Sequence, residues 1–215
     1  MTSTGRPPEA ACIAVFAKAP VPGAVKTRLA AELGAAEAAN VHASLVRHAL
    51  ETATSAEAGR VELWCAPDTR HEFFAACARD YGVSLKAQRG ADLGERMAEA
   101  AAQAFAASRS IVIVGCDCPA LTASHLRIAA NALRANDAVL IPAEDGGYVL
   151  VALARPVPGL FSGIEWGGDT VMRETRARLA AAGVRWIELP ALWDVDRPAD
   201  YERMRREGLT SGARA

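Results

Sequence analysis

The sequence predicts a single α/β domain, with a mainly parallel sheet covered by helices on both faces. Three observations carry the prediction. Short apolar runs alternate with longer stretches of helical periodicity, 51% of the residues are hydrophobic and so can cover both faces of a sheet, and no linker or repeat divides the chain. At 215 residues the length fits one domain with short connections. Residues 1–10 are expected to form a flexible polar N-terminus, 11–207 the domain, and 208–215 a frayed tail.

The first apolar run, 11–17, has strand length and is too short to span a bilayer. Further strands are expected near 60–66, 83–88, 110–115, 137–142, 147–153 and 184–189, with helices between them. Within 36–54, Val41, Leu45, Ala49, Leu50 and Ala53 recur at helical spacing and form one apolar stripe. Leu93, Met97, Ala101 and Phe105 do the same over 93–107. A helix over 122–135 follows Pro119, with Thr122 or Ser124 as its cap, and one over 170–182 ends at Gly183 in the role of a left-handed stop.

A net charge of −1 excludes a sequence-independent nucleic-acid binder, which needs a basic surface. With no apolar stretch of membrane length and an odd count of five cysteines, the expectation is a cytoplasmic protein with reduced thiols and no membrane partner. Cys116 and Cys118 read as small packing residues, since no second Cys/His pair stands at zinc-site spacing. His42, His48, His71 and His125 read as ordinary surface or boundary histidines. Ser44, Ser108 and Ser162 lack the context of a nucleophile elbow.

Ligands of open α/β sheets sit beyond the carboxyl ends of the strands, so the segments that follow strands are the places to look for chemistry. The loop Lys18–Arg28 leaves the first strand stiffened by Pro20 and Pro22, with Gly23 permitting close backbone approach. Lys18, Lys26 and Arg28 bring three cations to it, as binding a di- or triphosphate requires. It is not a P-loop, because Val25 stands where that motif needs glycine. The competing reading is a basic surface turn. Near the middle of the chain, Ile111–Val114 delivers Gly115 and then Asp117 at a strand end, a carboxylate suited to Mg²⁺ or Mn²⁺ alongside phosphate oxygens; otherwise Asp117 caps the next helix. Asp194 and Asp196, two apart in an extended stretch, point to one side and could share that metal, or else form a solvated acidic turn. Asp145-Gly146 reads first as a hairpin turn. The stretch Gln88–Arg96 offers backbone amides and Gln88 to a base or sugar, or simply caps a helix.

These segments resemble the bacterial glycosyltransferase-like family named for arsenosugar biosynthesis and associated with radical-SAM or selenodomain proteins. The resemblance is carried by the Lys18–Leu29 loop, Gln88 through Met97, Gly115-x-Asp117-x-Pro119, Pro142 through Tyr148 and the Asp194-x-Asp196 ending. It implies the nucleotide-diphospho-sugar transferase fold, a Rossmann-like architecture also called the type A glycosyltransferase fold. That fold is similar to molybdenum-cofactor nucleotidyltransferases and to 2-phospholactate guanylyltransferase. By the same resemblance, Asp117 and Asp196 would hold Mg²⁺ or Mn²⁺ with Asp194 nearby, and Lys18, Lys26, Arg28 and Asp117 would be catalytic. Ala17, Gly23, Lys26, Arg28, Gln88, Gly90, Leu93, Gly94 and Gly115 would touch the nucleotide, and Asp145, Gly146, Gly147, Tyr148 and Trp166 would border a small-molecule acceptor.

Two reactions fit this scaffold. Nucleotidyl transfer from a nucleoside triphosphate develops charge on the α-phosphate and the departing pyrophosphate, for which a three-cation loop is directly useful, so it is narrowly favoured. Glycosyl transfer from a nucleotide-sugar is the alternative. A non-catalytic nucleotide-binding module ranks last, because Asp117, Asp194 and Asp196 are all retained. With the cation loop taken as exposed, replacing Lys26 or Arg28 should cost little stability, and Asp117→Asn should leave the metal-free melting temperature normal.

Overall fold

The computed structural model describes residues 11–108 and 110–209. Seven strands form one sheet: β1 (Ala11–Lys18), β2 (Gly59–Ala66), β3 (Ser84–Ala87), β4 (Ile111–Gly115), β5 (Ala138–Pro142), β6 (Tyr148–Leu153) and β7 (Trp186–Glu188). Their order is β3-β2-β1-β4-β6-β5-β7. The pairs β1–β2, β1–β4, β2–β3 and β5–β7 are parallel, while β6 runs antiparallel to both β4 and β5. Each strand expected from the sequence is present, and the sheet is mainly parallel.

The residue pattern of β1 explains the layering. Ile13, Val15 and Ala17 enter one apolar cluster while Cys12, Ala14 and Phe16 enter the other, the alternation of a strand buried on both faces. The first cluster is closed by α2 (Ala35–Ser55), α3 (Glu72–Tyr81) and α5 (Ala123–Ala132), the second by α4 (Leu93–Ala107) and α6 (Val171–Ala181). A third cluster ties α1 (Thr27–Leu33) and α2 to α7 (Pro198–Arg206) through Leu29, Val41, Leu45, Trp193, Val195 and Met204.

Local signals account for the boundaries. Thr122 caps α5 through its side chain, in a capping box with His125. Gly183, at φ 60°, follows the end of α6. The Asp145-Gly146 turn joins the antiparallel pair β5 and β6. Leu209 donates its N–H to the Met204 carbonyl and packs on the third cluster. The expectation for 1–10, and that for the remainder of the tail, lie outside the described residues.

The winding places the site. From β1 the chain steps outward to β2 and β3, then returns to the other flank of β1 as β4. Strand order therefore reverses between β1 and β4, and the register Phe16↔Gly115 sets their carboxyl ends side by side. That is where open α/β sheets have their crevice.

Candidate active site

The segments that leave β1 and β4 meet at this point. Pro22, Gly23 and Ala24 turn the loop, with Gly23 at φ 81°, a left-handed conformation that suits glycine. Lys26 is also left-handed, at φ 47°, and immediately precedes α1. This backbone sends the Lys26 side chain inward, where it is only 5% exposed. Its ammonium lies 2.7 Å from Asp117 Oδ1 and donates to the Val195 carbonyl oxygen at 2.6 Å. Arg28, two residues on and exposed, pairs with the Asp196 carboxylate. Two of the three loop cations are thus bound to two of the three expected metal acids, across 91 and 168 positions of sequence.

Asp194 and Asp196 straddle Val195, which is buried in the third cluster and donates its N–H to the Asp117 carbonyl at 2.9 Å. That bond fastens the acidic stretch to the end of β4, and the Arg203 guanidinium, stacked 4.3 Å over the Trp193 ring and paired with Glu144, holds it from outside. Burial, with the charges of Asp117 and Asp145 nearby, pushes the Asp194 carboxyl up to about 7. Asp117, whose side chain is 45% exposed, shows the opposite balance. Burial raises its carboxyl, but the Lys26 ammonium overrides this and holds it below the usual carboxylate range. Burial likewise works against the Lys26 charge, and Asp117 restores it, so that its pKa ends above the usual value. Asp117, Asp194 and Asp196 together offer carboxylate oxygens of the kind that Mg²⁺ or Mn²⁺ takes as ligands.

The exposed-loop expectation holds for Arg28 but is corrected for Lys26, a buried counter-ion of Asp117. The expectation of an unperturbed Asp117→Asn protein rested on that exposed loop; with Lys26 buried, the change would remove the charged partner of a buried ammonium. Lys18 is exposed at the end of β1. Gly115 is open as well, with no atom within 4 Å of where a Cβ would stand.

Beyond β3 the chain forms a second wall. Gln88 donates both hydrogens of its amide, to the Ala17 and Trp64 carbonyl oxygens at 3.2 and 2.8 Å, which pins it across the ends of β1 and β2. The helix-cap reading of 88–96 holds too: Asp92 accepts from the Glu95 N–H, and the Glu95 side chain accepts from the Ala91 N–H. Arg89, Gly90, Glu95, Ala98 and Glu99 line an open depression of about 590 Å³. Leu93 is exposed, while Gly94 is sealed in. A Cβ there would stand 2.2 Å from the Phe161 carbonyl oxygen and 2.7 Å from Trp166 Nε1, so the start of α4 and the Trp166 segment fit only through glycine. Trp166 meets Tyr148 edge to face at 6.2 Å, and the Tyr148 hydroxyl contacts Met97 Sδ. Gly146, at φ 95°, comes equally close to the Asp169 backbone, and Asp145 closes its own turn by accepting from the Gly147 N–H. The residues expected to border the acceptor therefore adjoin those expected at the nucleotide, and Asp145 also influences Asp194.

One residue of the site escaped the sequence reading. His42, taken there as an ordinary histidine, is 4% exposed, contacts the Lys18 carbonyl oxygen through Nε2 at 3.0 Å, and turns Nδ1 toward Asp117 at 3.9 Å. The available signal was its place on the buried stripe of α2, between Ala38 and Leu45. His48, His71 and His125 do serve local structure, His71 and His125 at helix starts and His48 on the Leu121 carbonyl.

Fold and site together define a transferase of the nucleotide-diphospho-sugar type. The chain belongs to the family described as an uncharacterized protein conserved in bacteria (DUF2064), whose model matches residues 49–168. It is 32% identical over 186 residues to the 3-phospho-D-glycerate guanylyltransferase of Phenylobacterium zucineum (strain HLK1), covering 84% of each chain. A solved protein of Desulfovibrio desulfuricans G20, described provisionally as a nucleotide-diphospho-sugar transferase, superposes with a TM-score of 0.84 at 30% identity, over 95% of this chain and 90% of that one. A Methanothermobacter nucleotidyl transferase shares the fold, with a TM-score of 0.64 at 19% identity over 94% and 99% of the two chains. The narrower arsenosugar name expected from the sequence finds no support, since the curated relative is a guanylyltransferase. No helix among the described residues is long and apolar enough to cross a membrane.

Proposed function

We propose that this chain is a divalent-metal-dependent nucleotidyltransferase that moves a nucleoside monophosphate from a triphosphate to the phosphate of a small phosphorylated acid, with guanine the first base to test. The carrying observation is the pairing of Lys26 with Asp117 and Arg28 with Asp196. It brings cations suited to phosphate into contact with acids suited to a metal, at the switch point of the sheet. The curated relative supports both guanine and a phosphorylated acid as acceptor.

In this reading the Arg28–Asp196 pair opens while Lys26 stays beside Asp117. Asp117, Asp194 and Asp196 would hold Mg²⁺ or Mn²⁺, which would supply charge neutralisation at the phosphates, an effect worth several kcal/mol. Arg28, released from Asp196, reaches the phosphates together with the exposed Lys18, and Lys26 keeps its ammonium at the metal acids, facing the developing charge. An acceptor phosphate oxygen attacks the α-phosphorus. The new O–P bond forms as the bridge between α- and β-phosphates breaks, and the electron pair leaves with pyrophosphate. The acceptor oxygen is already anionic near neutral pH, so no general base is required; burial pushes the His42 imidazole below its usual value.

Incubating the chain with Mg²⁺, GTP or another nucleoside triphosphate, and a panel of phosphorylated acids should release pyrophosphate only when an acceptor is present. The D. desulfuricans neighbour keeps glycosyl transfer as the second reading. Consumption of a nucleotide-sugar, with no pyrophosphate from any triphosphate, would establish that reaction instead.

A further inference from the structure

On the α2 side of Asp117 lie two donors that the oxygen site does not use, His42 Nδ1 and Cys116 Sγ. A carbonyl oxygen can only accept, so the contact between His42 Nε2 and the Lys18 carbonyl places the ring hydrogen on Nε2 and the lone pair on Nδ1. That Nδ1 is buried, has no hydrogen-bond partner among the described residues, and faces Asp117 Oδ1 at 3.9 Å. Two acceptors are thus turned toward each other, an arrangement that invites a cation. The buried Cys116 thiol converges on the same oxygen, with Sγ 3.6 Å from Oδ1. The three donor atoms lie within 4.8 Å of one another.

We propose that His42 Nδ1, Cys116 Sγ and the Asp117 carboxylate form a binding site for a borderline-soft divalent cation of the zinc class. Nitrogen, sulfur and oxygen ligands with a fourth position open are a zinc donor set, and a thiolate selects such ions over Mg²⁺. The imidazole is already held as metal-bound histidines are, with its other ring N–H donated to a backbone carbonyl. On binding, a metal–sulfur bond replaces the S–H bond, and the proton leaves to solvent. Lys26 holds the same Asp117 oxygen in the resting chain, so the ion competes with that pair. The proposal does not depend on nucleotidyl transfer.

The test is a titration of the full chain with Co²⁺ in thiol-free buffer containing excess Mg²⁺. About one equivalent should bind with a sulfur-to-cobalt charge-transfer band, erased on adding Zn²⁺. Cys116→Ala should lose the band, and His42→Gln should weaken cobalt binding at least tenfold, whereas Cys118→Ala, a matched change in the core two residues away, should keep it. X-ray absorption on the unaltered chain should count one sulfur on the cobalt, which makes the result independent of how well any variant folds. Cobalt bound without sulfur, or a full band in Cys116→Ala, would overturn the site. Loss of nucleotide-dependent Mn²⁺ binding with the cobalt band intact would instead break the nucleotide reading alone.

Discussion

Around the carboxyl ends of β1 and β4 the crevice is lined by charges paired across the sequence, Lys26 with Asp117 and Arg28 with Asp196. Its other wall, where the start of α4 meets Tyr148 and Trp166, is fitted by glycines and aromatic rings, with Gly94 against Phe161 and Trp166, and Gly146 against Asp169. The two walls store specificity differently. Paired charges can trade partners when a metal nucleotide arrives, so the first wall is reactive as well as structural. A wall fitted by close backbone approach has nothing to trade and can only offer shape. Substitutions on the first should therefore alter chemistry more than fold, and substitutions on the second the reverse.

The largest effect should come from Asp117→Asn. Turnover should fall about a thousandfold, because a metal ligand worth several kcal/mol is lost. The metal-free protein should also lose about 1–2 kcal/mol of stability, since the buried Lys26 ammonium keeps the Val195 carbonyl but loses its charged partner, itself half-exposed. Steady-state rates and chemical denaturation check the two arms, and an undiminished melting temperature would show that Lys26 finds another partner. Gly94→Ala should break the second wall. With the new methyl group forced against Phe161 and Trp166, about 1–3 kcal/mol of stability is expected to go, while Mn²⁺ affinity stays unchanged. A shifted Mn²⁺ affinity would mean that the walls are coupled.

A smaller effect with a defined pH dependence is expected from Asp194→Asn in chelator. The folded carboxyl titrates at about 7 against an ordinary value of 3.8. Keeping Asp194 ionised in the fold therefore costs nothing below about pH 4, progressively more as pH rises, and its full amount above about 7. Removing the charge should raise the metal-free melting temperature by several degrees at pH 8 and by much less at pH 5. Equal gains at both pH values would remove the electrostatic explanation.

Much of this was legible in the sequence because it is local. The seven strands announced themselves as apolar runs, the Thr122 cap and the Gly183 stop as single residues, and the crevice followed from strand ends. Legibility failed where a side chain's direction is decided by distant parts of the chain. Lys26 looks like its neighbours in a basic loop, and only its left-handed backbone turns it inward onto Asp117 and Val195. His42 is set beside Asp117 by the packing of α2 on the sheet, with 75 positions between them. The close fit of Gly94 to Trp166 depends on a contact across 72 positions, and α4 alone explains only its cap.

Entry of metal and nucleotide with release of Arg28 from Asp196, while Lys26 stays beside Asp117, can be checked by titrating Mn²⁺ into the chain with and without a non-hydrolysable GTP analogue. The analogue should tighten Mn²⁺ at least tenfold, Mn²⁺ should tighten the analogue by the same factor as linkage demands, and Asp117→Asn should abolish both. Equal Mn²⁺ affinity with and without the analogue, or coupling that survives in Asp117→Asn, would contradict it.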